Sequence, residues 1–205
     1  ALYASPDGYG AYVEAEKIVN TYMDGHPVGV KPGRIRKMFA SAITPMGVLQ
    51  YIDTLINEDF TVCAVENRWG AGVTELLSRV SDAAIMRGLD VEQFYCPIDP
   101  AKRIDHLIVP TLKLAIISRS RYINPPVNAQ AVVDMAQYAN NDATAEFAER
   151  EFDVLLREAL FTLNRAKVTH DQIEKYYVPH MDFKAVDRKA EEVIRAIEDI
   201  QYSMA

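Results

Sequence analysis

Between residues 65 and 77 the chain reads VENRWGAGVTELL. Gly70 and Gly72 stand two apart, and the hydroxyl of Thr74 follows where an apolar run gives way to the helix-forming TELLSRV. Glycines at such a turn let the main chain approach a ligand, and the first N–H groups of the next helix can face an anion. The phosphate-loop pattern is G-x-x-x-x-G-K-[ST]. Laid over Asn67–Thr74, it keeps Gly72 and Thr74 but places Asn67 at the first glycine and Val73 at the lysine. The candidate phosphate contacts are therefore Asn67, Arg68, Gly70, Ala71, Gly72, Val73 and Thr74. Val73 brings no charge, and Trp69 is bulky for a loop that must lie close to its ligand.

A working site of this kind also holds Mg²⁺ through an acid at the end of a hydrophobic strand. The candidate strand LAIIS, residues 114–118, ends in Ser118. The phosphate cation and the metal carboxylate are thus missing together. Loss of one preorganised electrostatic group typically costs about 10²–10³ in rate, so hydrolysis is not expected and no catalytic residue is assigned. Arg68, Arg119 and Arg121 are possible substitutes, since a guanidinium can grip phosphate with two donors; the competing reading makes all three solvated surface charges. Asp99 and Asp105 suit a metal or, more simply, turns and caps. Arg150, Arg157 and Arg165 suit a lid face or a salt-bridged exterior.

The elements that must position these residues follow from periodicity. Residues 11–23 read as a helix, and 26–33 (HPVGVKPG) as a turn-forming linker. KMFASAIT reads as a strand, and PMGVLQYIDTLI as a helix with Thr44 as N-cap and Pro45 at its first position. FTVCAVE is a continuous apolar run, the mark of a strand buried on both faces. A helix from about Gly70 to Arg87 follows, with Gly88 ending it. DVEQFYCP, HLIVP and KLAIISRS read as three more strands. Strand, turn, helix, strand is a βαβ unit, so a mostly parallel sheet is expected. AQAVVDMAQYA reads as a helix, 144–177 as a long charge-laced helix broken at Pro179, and the last helix restarts with Asp182 as N-cap. The resulting division is an N-terminal helix and linker (1–32), an α/β core (33–143) and a C-terminal helical extension (144–205).

At 205 residues the chain is long enough for a substantial core. A net charge of -7 argues against a nucleic-acid partner. No run of about 18 apolar residues is present, which argues against a membrane span. Cys63 and Cys96, each inside an apolar run, read as buried thiols of a cytoplasmic protein. The four histidines show no ligand spacing, and no metal site is assigned. An offset of 158 residues aligns Glu16, Lys17, Met23 and Asp24 with Glu174, Lys175, Met181 and Asp182. Together with a start that is not Met, this echo suggests that the first helix is the tail of a preceding repeat, packed loosely on the α/β core or against the C-terminal helices.

The ordered set GRIRKMFASAITPMGVLQYIDTL (33–55), the loop segment, RGLDVEQFYCPIDP (87–100), IDHLIVPTLKLAIIS (104–118) and EKYYVPHMDFKAVD (174–187) resembles an uncharacterised bacterial family of tandem P-loop ATPase-like proteins. The resemblance spans nearly all of residues 33–190. It implies an α/β, P-loop NTPase-like three-layer fold with a mostly parallel sheet and a helical C-terminal extension. It also implies ATP with Mg²⁺ as ligand wherever the loop functions, and an upstream P-loop domain as partner, with a homo-oligomer open. Family members read G-x-P-G-[ST]-G-K-S at the loop and carry Asp where this chain has Ser118. The expectation is a degenerate domain, the structural or regulatory half of a two-domain protein. The alternative is a nucleotide-binding domain or small-molecule kinase using a substitute arginine.

Overall fold

A computed structural model describes residues 8–68, 70–139 and 143–203; Trp69 lies outside them. The chain divides into two compact units, one up to Phe161 and one from Thr162. The first is built on a six-stranded sheet. Its strands are β1 (Ile35–Met38), β4 (Thr61–Glu66), β5 (Val91–Tyr95), β6 (Ile104–Val109), β7 (Leu114–Arg119) and β8 (Ala131–Asp134), in the spatial order β1-β5-β6-β7-β4-β8. A separate hairpin pairs β2 (Ser41–Thr44) with β3 (Gly47–Gln50). Every pairing in the large sheet is parallel except the two made by β6. The expected mostly parallel sheet is present.

The crossover from β4 through helix α2 (Val73–Met86) returns to β5, three positions away in the sheet, and the antiparallel run β5-β6-β7 fills the gap. The sheet's side chains alternate between two cores, as the pleat requires. Cys63, Val65, Leu107, Val109 and Ile116 point to one face, where they meet α2 and helix α1 (Tyr9–Met23). Val62, Phe94, Ile108, Ala115 and Ile117 point to the other. That second face is covered by Ala40, Ile52, Val127 and Ala129 from irregular segments and a 3-10 turn, not by helices. Val62, Ala64, Ile116 and Ile117, the expected sheet core, are all buried.

Two segments differ from the sequence reading. Residues 41–50, expected to run from a strand into a helix capped by Thr44, form the β2–β3 hairpin. Thr44 Oγ1 there donates to the Gly47 carbonyl and accepts from the Met46 N–H, so it closes a turn instead of capping a helix. Gly47 takes φ 118°, a value few other residues could adopt. Residues 129–139, expected as a helix, supply the edge strand β8 and a short 3-10 turn. Hydrogen bonding to β4 outweighs their modest helical preference.

Helix α1 is not loosely packed. Ala11, Ala15, Ile18, Val19 and Met23 are buried in the same core as α2 and the sheet. Glu14, nearly buried, accepts from the Tyr138 hydroxyl at 2.9 Å and from Lys17 at 2.8 Å. The linker after it is structural too. The N–H groups of Gly29 and Gly33 donate to the carbonyls of Met86 and Ile85, satisfying the C-terminal end of α2. Gly88, at φ 77°, stops that helix as expected.

Helix α3 (Ala143–Tyr177) runs through the boundary at Phe161. In the second unit a 3-10 turn around Pro179 ends it, and helix α4 (Phe183–Ser203) begins. The carboxylate of Asp182 accepts from the Ala185 N–H at 3.0 Å, the expected N-cap. No helix among the described residues is long and apolar enough to cross a membrane.

Candidate functional site

The loop after β4 leaves the sheet at its carboxyl edge and enters α2. Its first residue is pinned twice to β7: the Asn67 N–H donates to the Arg119 carbonyl at 2.7 Å, and Asn67 Nδ2 donates to Ser118 Oγ at 3.3 Å. Gly70 and Gly72 take φ of 77° and 75°, left-handed values that a side chain resists. Gly72 is also the residue from which α2 starts, and a Cβ on it would meet the Ala11 Cβ at 3.4 Å. Helix α1 therefore supports the loop from behind.

The loop forms one wall of a cavity of about 580 Å³. Asn67, Arg68, Gly70, Ala71, Gly72, Val73 and Thr74 all line it. The opposite walls come from the β5–β6 turn, with Asp99, Lys102 and Arg103, and from Ser120, Arg121 and Tyr122 after β7. This is the crevice outside the carboxyl ends of parallel strands, where open α/β sheets commonly hold ligands. Val73 contributes mainly to the core, being 5% exposed against Leu76 and Leu77.

Arg119 does not line the cavity. Adjacent residues of a strand point to opposite faces. Ser118 shares the face of Ile116 and α2, which sends Arg119 to the other side with Ile117. There its guanidinium donates to the Val127 carbonyl at 2.5 Å and lies 3.7 Å from Glu66. Arg121, two residues on, does reach the cavity but is engaged by α3. It pairs with Glu149 at 3.2 Å and Asp153 at 2.8 Å, contacts that hold it firmly protonated. The Tyr122 hydroxyl donates to the same Asp153, and its ring meets Phe152 edge-on. Burial first, then the bond to Asp153, pushes the Tyr122 phenol up to about 12.

The cavity's charges are mixed, and most are neutralised. Glu75 pairs with Arg79, Glu66 with Arg119 and Glu149 with Arg121. Arg103 pairs with the buried Asp105, whose carboxyl burial pushes up and Arg103 pulls back. Asp105 is thus an ion-pair partner and does not face the cavity. Arg68 and Lys102 have no acid within ion-pair distance among the described residues. Sequence reasoning missed Lys102. The signal was present: a turn leaving a strand parallel to β4 must emerge at the same edge as the loop.

Compared with known proteins, the chain matches no family model, no curated protein and no solved structure.

Outside the cavity, Cys63 and Cys96 are buried free thiols. Burial, with Glu14 nearby, pushes Cys63 up to about 11, which leaves it inert as a nucleophile. His170, Asp171 and Glu174 cluster on one exposed turn of α3, where His170 lies 3.3 Å from Glu174 and Lys167 pairs with Asp171. That is the ordinary dress of a solvated helix.

Proposed function

We propose that this chain is a degenerate P-loop NTPase-like domain that keeps the ligand cradle and lacks the means to hydrolyse, serving as the structural or regulatory half of a two-domain protein whose other, upstream half carries the activity. The observation that carries this reading is the bond from Asn67 Nδ2 to Ser118 Oγ. Asn67 and Ser118, two of the three positions that depart from the phosphate-loop and metal-acid patterns, are satisfied by each other. The metal position thereby becomes a neutral staple, and the position of the phosphate cation is filled by Val73, buried in the core.

A second reading is favoured by the cavity. Backbone N–H groups at the start of α2, with Thr74, Arg68 and Lys102, can bind an anionic phosphate ligand without hydrolysing it. Both readings require the same silence in one assay. Phosphate release from ATP with Mg²⁺ by the purified chain is expected to stay at the buffer rate, and turnover that disappears in Thr74→Ala would overturn both. Calorimetric titration with pyrophosphate then separates them. Binding that weakens in Lys102→Ala supports the second; no heat at any concentration leaves the first.

A further inference from the structure

We propose that the first half of α3 is an autoinhibitory strap on the cavity: Glu149 and Asp153 hold donors that an anionic ligand would use, so that binding the ligand releases the strap. The proposal rests on the second reading above, in which the cavity takes an anionic phosphate ligand. Arg121 and Tyr122 both line that cavity, and both are engaged by α3. Arg121 gives one donor to Glu149 at 3.2 Å and another to Asp153 at 2.8 Å. The Tyr122 hydroxyl donates to the second oxygen of Asp153. One carboxylate thus takes a guanidinium and a phenol through its two oxygens, an arrangement that a phosphate can make with the same pair. Glu149 lines the cavity itself, where its charge opposes an incoming anion. All four residues lie in the first compact unit.

The strap is held lightly. Ala145, Ala148, Glu149, Phe152, Asp153 and Leu156 fall on one half-buried face of α3, and no residue from 144 to 161 is buried. Phe152 adds an edge-on contact with the Tyr122 ring at 5.2 Å. Ion pairs open to water contribute little to stability, and the Arg121 side chain is 55% exposed. A helix anchored through core residues, as α1 and α2 are, does not yield to a ligand. A helix anchored through the ligand's own donors does.

Linkage makes the effect reciprocal. A ligand that gains Arg121 and Tyr122 displaces α3, and whatever loosens α3 raises the fraction of chains whose cavity is open. Apparent affinity rises in proportion to that fraction. A bound ligand ordinarily slows amide exchange around its site, whereas here it speeds exchange on α3.

Amide exchange and calorimetric titration of the full chain, both with pyrophosphate, test this together. In the unmodified chain, pyrophosphate is expected to speed exchange over 145–156. Phe152→Ala loosens the strap without changing any charge, and it is expected to bind pyrophosphate several-fold more tightly. Binding that weakens in Lys102→Ala, yet leaves exchange over 145–156 unchanged or slower, overturns the strap and leaves the anion site standing. So does affinity that fails to rise in Phe152→Ala, because a gain confined to Glu149→Gln with Asp153→Asn is then the effect of charge alone. Binding indifferent to Lys102→Ala places the ion elsewhere and overturns both. No heat from the unmodified chain or from either loosened variant removes the anion site and the strap with it.

Discussion

His106 sits mid-strand in β6 between Phe94 and Ile117, fully buried, with neither ring nitrogen hydrogen-bonded. Burial pushes its pKa down to about 3, so it is neutral in the folded chain at any ordinary pH. The unfolded chain takes up that proton below about 6.5. Stability linked to His106 is therefore complete above pH 6.5 and is lost as pH falls from there towards 3, at up to ~1.4 kcal/mol per pH unit. Urea unfolding of His106→Leu is expected to show a shallower loss between pH 6.5 and 4 than the parent; equal slopes would remove His106 from the account. At the same scale, Ser118→Ala leaves the Asn67 amide without its acceptor, and a loss of about 1 kcal/mol is expected from the same unfolding measurement. The departures at Asn67 and Ser118 were each legible in the sequence. Their hydrogen bond, across 51 residues, was not, because only the pairing of β4 with β7 brings them together. Arg119 was misplaced for a related reason: strand parity sends it away from α2, and parity depends on which face Ile116 takes.

At the scale of elements, the contact between α3 and the segment after β7 bears on any ligand. Glu149 and Asp153 occupy Arg121 much as an anion would. Removing both charges with Glu149→Gln and Asp153→Asn frees a guanidinium at the cavity wall. The double variant is expected to bind pyrophosphate several-fold more tightly than the parent by calorimetry; weaker binding would mean that these acids organise the site instead of competing for it. Strong elements were readable: FTVCAVE as a buried strand, the α2 stripe and its stop at Gly88, and the α3–α4 break at Pro179. The hairpin and β8 were not. Thr44-Pro45 is as good a helix start as a turn, and the four residues of β8 sit at an edge, half-buried in alternation, where pairing decides what propensity leaves open.

For the whole molecule, α1, the sheet and α2 share one core, and the first helix is part of the cooperative unit. Ile18→Asp is expected to destabilise as severely as Val62→Asp, by several kcal/mol, the order typical of unpaired buried charges. Thermal melts of the two variants check this, and amide exchange over 11–23 is expected to be as slow as in β4. Periodicity and the order of the elements made an α/β protein readable, whereas the unity of α1 with the sheet depends on its packing against Tyr138 and Gly72, which no local pattern encodes. The central proposal is that this cradle has lost both the metal acid and the phosphate lysine. Calorimetric titration of the intact chain with ATP, with Mg²⁺ and again with a chelator at fixed salt, tests it most directly. The account predicts that Mg²⁺ brings no gain in affinity, because Ser118 bonds Asn67 and offers no carboxylate. A tenfold or greater tightening by Mg²⁺, abolished in Thr74→Ala, would contradict it.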